Sequence, residues 1–163
     1  MGTPPAGFTA DPAIDKLDLA PAACRGAYLL KQVFPAVVFT SGKRGVADQA
    51  RAMASNVVHN RHWIEQTYKY SPLRVRCQDW VNANPGKTSA TDIAKGLLAV
   101  LQAAPPAELA AFSLHLAGMA FDVQPMSQNA AAVKAKIHSL PGCTQFLDHE
   151  GGLVRWHAEF REA

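Results

Sequence analysis

Ser113-Leu114-His115-Leu116-Ala117-Gly118-Met119-Ala120-Phe121-Asp122 is the stretch on which the reading of this 163-residue chain turns. A histidine and an aspartate seven positions apart carry no information by themselves. Here they bracket a glycine, which permits close backbone approach, and an apolar entry into a strand expected over Met119–Val123. That arrangement sets a nitrogen ligand, His115, on a loop and a carboxylate ligand, Asp122, on the strand beside it. Catalytic zinc takes three protein ligands and keeps a further position for water. The third is expected from Arg155-Trp156-His157-Ala158-Glu159-Phe160, within a strand over Leu153–Phe160. Trp156 would help fix the His157 ring, and Glu159 falls on the same strand face two residues on.

Working outward, the chain alternates short strands with helices. Residues 1 to about 22 hold four prolines and little periodicity, which predicts a partly ordered leader before one domain over 23–163. Apolar spacing from Arg25 to Phe34 predicts a helix stopped by Pro35, and Ala36–Thr40 reads as a buried strand. Ser41–Gly45 turns the chain. Val46, Ala50, Met53, Val57 and Ile64 then line one helix face, followed by a loop through Pro72. Ser89 stands three residues before Asp92, a capping-box-like start to a helix carrying Ile93, Leu97, Val100 and Leu101. A short helical turn over 106–112 leads into Ser113. Ala130, Val133, Ile137 and Leu140 mark a last helix, broken by Pro141-Gly142. Few strands, several helices and antiparallel connections predict an α+β fold in which a small antiparallel sheet carries the metal site.

Composition narrows the function. Apolar residues make up 48% and charged residues 18%, as in folded globular material. The formal charge of +3 is mildly basic, but the Lys and Arg are scattered, without the basic-aromatic stripe that tracks nucleic acid. Cys24, Cys77 and Cys143 form no CxxC pair and read as three reduced, buried thiols. No apolar stretch is long enough to span a bilayer, and the N-terminus lacks the pattern of a secretory signal. The expectation is a soluble monomer made in the cytoplasm; a substrate beyond the membrane requires delivery by other means.

The segment SLHLAGMAFD resembles the SxHxxGxAxD signature of the M15 family of zinc peptidases. That family includes D-alanyl-D-alanine carboxypeptidases and dipeptidases and phage L-alanyl-D-glutamate endolysins, with hedgehog domains as structural relatives. Further pieces follow in the family's order. Phe39-Thr40-Ser41-Gly42-Lys43-Arg44 is similar to its strand-end TSGYR element, Asp48-Gln49-Ala50 falls where its next helix begins, and Trp156-His157 is similar to its late WH element. The resemblance implies a hedgehog-like fold, Zn2+ on His115, Asp122 and His157, and Arg44 as electrophilic helper, with Ser113 and Gln49 toward the substrate. It implies hydrolysis of peptidoglycan stem peptides next to D-amino acids, acting on the cell wall.

One position departs from the pattern. Where the family carries an acid three residues before the last histidine, this chain has Val154. Glu150 is the expected general base; Glu159 is the alternative. A third reading keeps the metal but not the hydrolysis, leaving a module that binds cell-wall peptide or a protein partner.

Other reactive-looking residues have plainer readings. His59 and His62 lack a carboxylate partner motif and are expected in solvent, His138 on a helix, and His149 at the rim of the site. Ser113 has no GxSxG elbow, so it is expected to orient the metal loop. Gly42-Lys43 lacks phosphate-loop spacing. The basic, aromatic stretch from Arg61 to Arg76, with Trp63, Tyr68 and Tyr70, is expected to pack on the core, or else to line a groove for glycan or peptide.

Overall fold

Asp11 opens the first helix by accepting a hydrogen bond from Ala13 N, in a computed structural model that describes residues 2–162. In chain order the elements are α1 (Pro12–Asp15), α2 (Pro21–Val33), β1 (Phe39–Ser41), α3 (Val46–Val57), α4 (Trp63–Thr67), α5 (Pro72–Ala83), α6 (Ala90–Gln102) and α7 (Pro106–Phe112). A 3-10 turn (Leu114–Ala117), β2 (Ala120–Val123), α8 (Ala130–His138), β3 (Cys143–Glu150) and β4 (Leu153–Phe160) complete them. The fold is α+β, with one four-stranded sheet in the order β1-β2-β4-β3. β1 and β4 each pair antiparallel with β2. The chain divides into two compact units, each with its own hydrophobic core.

The first unit, residues up to 43, 117–149 and from 154, holds the sheet. Alternation along the strands sends Phe121 and Val123 of β2, and Trp156, Ala158 and Phe160 of β4, into one core with Leu30 and Ile137. α2 lies close against β4: a Cβ on Gly26 would meet the Phe160 ring at 2.6 Å. The segment expected as a partly ordered leader is built into this core. Ile14, Leu17 and Leu19 are buried there, each contributing roughly 1.5–3 kcal/mol of transfer free energy. Tyr28 fastens it, donating to Asp15 Oδ1 at 2.6 Å and accepting from Asp11 N at 2.8 Å.

The second unit, residues 44–116 and 150–153, is helical around Met53, Ile64, Leu73, Cys77, Leu97 and Leu101. Ser89 caps α6 as expected, its hydroxyl accepting from Asp92 N at 3.1 Å. Two expectations change here. The apolar face from Val46 to Ile64 is broken after Val57 into α3 and α4. The loop through Pro72 is helix α5, started by Ser71, whose hydroxyl accepts from Arg74 N, with Pro72 in its first turn. Leu73, Cys77 and Val81 give α5 its buried stripe at four-residue spacing. Arg61 holds the end of that helix, donating to the carbonyls of Val81, Asn84 and Lys87.

Candidate metal centre

The sheet fixes two of the three expected ligands by register. Asp122 on β2 stands directly opposite His157 on β4, and Ser41 on β1 opposite Asp122, so one row crosses three strands on the face turned from the core. Residues directly opposite in an antiparallel ladder bring their Cβ atoms to about 5 Å, which suits a shared ligand. Asp122 Oδ1 lies 2.9 Å from His157 Nδ1. Ala120, opposite Glu159, keeps the next position on that face small.

Glu159, two residues along β4, shares the His157 face and lies with Oε1 3.1 Å from His157 Nε2. Both ring nitrogens therefore face carboxylates. A proton on Nε2 donated to Glu159 leaves the Nδ1 lone pair on the Asp122 side, the tautomer a metal ligand requires. The same parity accounts for Val154. Three residues from His157, it lies on the other strand face and is 50% exposed, so an acid there would not face the His157 ring.

His115 comes from the 3-10 turn after α7 and is 3% exposed. Its carbonyl accepts from Arg44 N at 2.9 Å. Gly118 completes the turn at φ +74°, where a Cβ would meet Asp18 O at 3.1 Å and Ala20 N at 3.2 Å. The close approach expected at this glycine is therefore present, and a side chain is excluded both by the left-handed backbone and by space.

The ligand atoms of His115, Asp122 and His157 all lie within 4.8 Å of one another, and both histidines are buried. Zinc bonds of about 2.1 Å at tetrahedral angles place ligand atoms roughly 3.4 Å apart, so the group fits one ion with small side-chain adjustment. Two nitrogens and a carboxylate, with Glu159 adding negative charge at the ring, are a donor set for a divalent cation. The group could hold a metal ion.

Arg44, Gln49 and Ser113 are also brought together. Gln49, 0% exposed inside α3, accepts at Oε1 from Arg44 Nη1 and Ser113 Oγ, each at 3.4 Å, and donates from Nε2 to Tyr68 Oη at 2.8 Å. Arginine can only donate, so the amide oxygen must face Arg44 and the nitrogen Tyr68. Gln49, expected toward substrate, thus has its amide engaged within the protein. Tyr68 was expected only as part of a stretch that packs on the core or lines a groove, and its bond to Gln49 was not foreseen. Its partner lies nineteen residues away, and no spacing rule links a helix interior to a helix C-cap.

Glu150 ends β3 half-buried, with its carbonyl accepting from Trp63 Nε1 at 3.0 Å. His59 and His62 are exposed, His62 against Glu65, and His149 is exposed beside Asp148. His138 packs edge-on to Phe146. Cys24 and Cys77 are buried free thiols, and burial pushes Cys77 up to about 12; Cys143 is half-buried rather than buried. No helix among the described residues is long and apolar enough to cross a membrane. No family model, curated protein or solved structure matches the chain.

Proposed function

We propose that the chain is a zinc-dependent peptidase that hydrolyses peptidoglycan stem peptides next to D-amino acids. The observation that carries the reading is the gathering of His115, Asp122 and His157, buried and within 4.8 Å of one another, on the residues of the SxHxxGxAxD-like segment and the late Trp-His pair. When bound, zinc supplies a Lewis acid that polarises the scissile carbonyl and makes water more acidic.

The chain's own groups supply the rest. Arg44, fixed through its backbone N to the metal loop and through Nη1 to Gln49, presents a permanent charge to a substrate oxygen. Glu159 is occupied with His157 Nε2 and orients that ring. Glu150 is then the carboxylate for moving the proton, taking it from water and delivering it to the leaving amine. Val154 supplies no acid three residues before His157, so the proton must be carried by a carboxylate elsewhere in the chain.

The test is digestion of purified sacculi with and without chelator, with mass spectrometry of the released muropeptides. The expected result is chelator-sensitive release of peptides cut beside a D-amino acid. Glu150→Gln should lower the rate by about two to four orders of magnitude with zinc retained. Glu159→Gln should instead weaken zinc binding by roughly 10–100-fold. Zinc-loaded protein that leaves sacculi and D-amino-acid peptides intact would sink the peptidase reading and leave a binding module.

A further inference from the structure

Within the sheet unit, the first residues of the chain and α2 form the two walls of a groove. One wall is a turn. Phe8 N donates to Pro5 O at 3.1 Å, and Gly7 takes φ +87° at the third position, where a glycine is favoured. The turn is held to α2: Phe8 meets the Tyr28 ring at 5.4 Å between centroids, and Cys24 Sγ lies 3.9 Å from Thr3 O. The other wall is α2 itself, where Pro21, Arg25 and Leu29 share a face at four-residue spacing, with Cys24 beside them. The groove has a volume of about 480 Å³, within the roughly 300–1,000 Å³ of small-molecule sites.

Its lining carries a single ionised side chain. Phe8, Leu19, Pro21 and Leu29 supply hydrocarbon, whereas Arg25 is exposed and makes no ion pair with another described residue. Burial, with Asp15 nearby, pushes the Cys24 thiol up, so it stays neutral. Two carboxylates of this unit are engaged elsewhere: Asp15 accepts from Tyr28 Oη, and Glu162 Oε1 accepts from Ala22 N. We infer that the groove binds a small organic acid with an apolar body, its carboxylate on Arg25 and its hydrocarbon against Phe8, Leu19 and Leu29. A guanidinium takes both oxygens of a carboxylate at once, and the apolar body leaves water. Beyond Arg25, only Thr3 and Cys24 carry polar side-chain atoms in the lining. A sugar or a peptide would therefore bury polar groups without partners there.

The inference does not rest on the peptidase reading. Its test is titration calorimetry of the full-length, zinc-loaded protein with octanoate, octanol and octylammonium, which share one chain and differ in head group. Octanoate is expected to bind about tenfold more tightly than octanol, and octylammonium most weakly. Arg25→Gln should bring octanoate to the level of octanol and leave octanol unchanged. Ala6→Trp, on the exposed turn, should fill the groove and weaken octanoate and octanol alike. Both substitutions fall on exposed residues, and thermal midpoints equal to wild type verify that the variants fold. A wild type that binds none of the three probes overturns the proposal, as does one that does not tell octanoate from octanol. Octanoate binding that survives Arg25→Gln also overturns it, since coordination to the metal would give that result. So does octanoate binding that Ala6→Trp leaves unchanged.

Discussion

The two units hold their candidate site residues by different means. In the sheet unit, Asp122 and His157 stand opposite each other in a backbone ladder, and their separation follows from strand register. In the helical unit, Arg44, Ser113 and Tyr68 come from a loop, a helix C-cap and another helix C-cap, and a single side chain, Gln49, ties them together. A ladder spreads the work over many hydrogen bonds, so removing one side chain leaves the frame intact. A hub concentrates it. The two halves should therefore answer to substitution differently: loss of chemistry without loss of stability in one, and both together in the other.

The largest effect is expected from Asp122→Ala. On the proposed function it removes bound zinc and lowers sacculus hydrolysis by roughly three orders of magnitude or more. Because β2 keeps its backbone partners, the urea midpoint should move little. Metal analysis alongside unfolding checks this, and a collapsed midpoint would show that the ladder depends on its ligands. Next in size is Gln49→Leu, which preserves volume but removes the amide that bonds to Arg44, Ser113 and Tyr68. Removing a buried amide that makes three such bonds costs about 2 kcal/mol. Urea unfolding reads that loss, and a cost below about 0.5 kcal/mol would mean that the hub is dispensable.

The smallest effect lies on the sheet unit's surface. The Lys134 ammonium at 2.9 Å, with His149 beside it, holds the Asp148 carboxyl down to about 2 from its ordinary 3.8. A depressed carboxyl stabilises the fold above its unfolded value and loses that contribution as pH falls through the folded one. The contribution should thus be complete above 3.8 and vanish on acidification toward about 2. Lys134→Met should flatten the stability-versus-pH curve in that window, as followed by thermal unfolding in acid; an unchanged slope would show that Lys134 is not the cause.

How much of this was legible in the sequence depended on whether a signal was local. β4 matches its expected limits because Trp156, Ala158 and Phe160 alternate with His157 and Glu159. The Ser89 cap was equally readable, since its partner is three residues away. β3 left no trace: it is an edge strand whose one fully buried residue is Phe146, so it lacks a two-residue apolar period. α5 had a signal in Ser71-Pro72 and the Leu73, Cys77, Val81 stripe, but its interspersed Arg74, Arg76, Gln78 and Asp79 hide the apolar face. In the site, the expected ligands gather, whereas the Gln49–Tyr68 contact joins distant residues of types that carry no motif. Val154 shows the reverse problem. A one-dimensional pattern flags it as a missing acid, and only strand parity shows that it faces elsewhere.

The way α1 and α2 are fastened has a consequence for synthesis. Ala20 N donates to Gly118 O, Ala22 N donates to Glu162 Oε1, and Gly26 leaves room for the Phe160 ring. Residues 20, 22 and 26 thus find partners at 118, 162 and 160, and such distant pairings form slowly. While the ribosome is still adding β4, α2 lacks the Phe160 ring that packs on Gly26, and the Asp122–His157 pair does not yet exist. The nascent chain therefore stays without this pair of candidate ligands until β4 has been made.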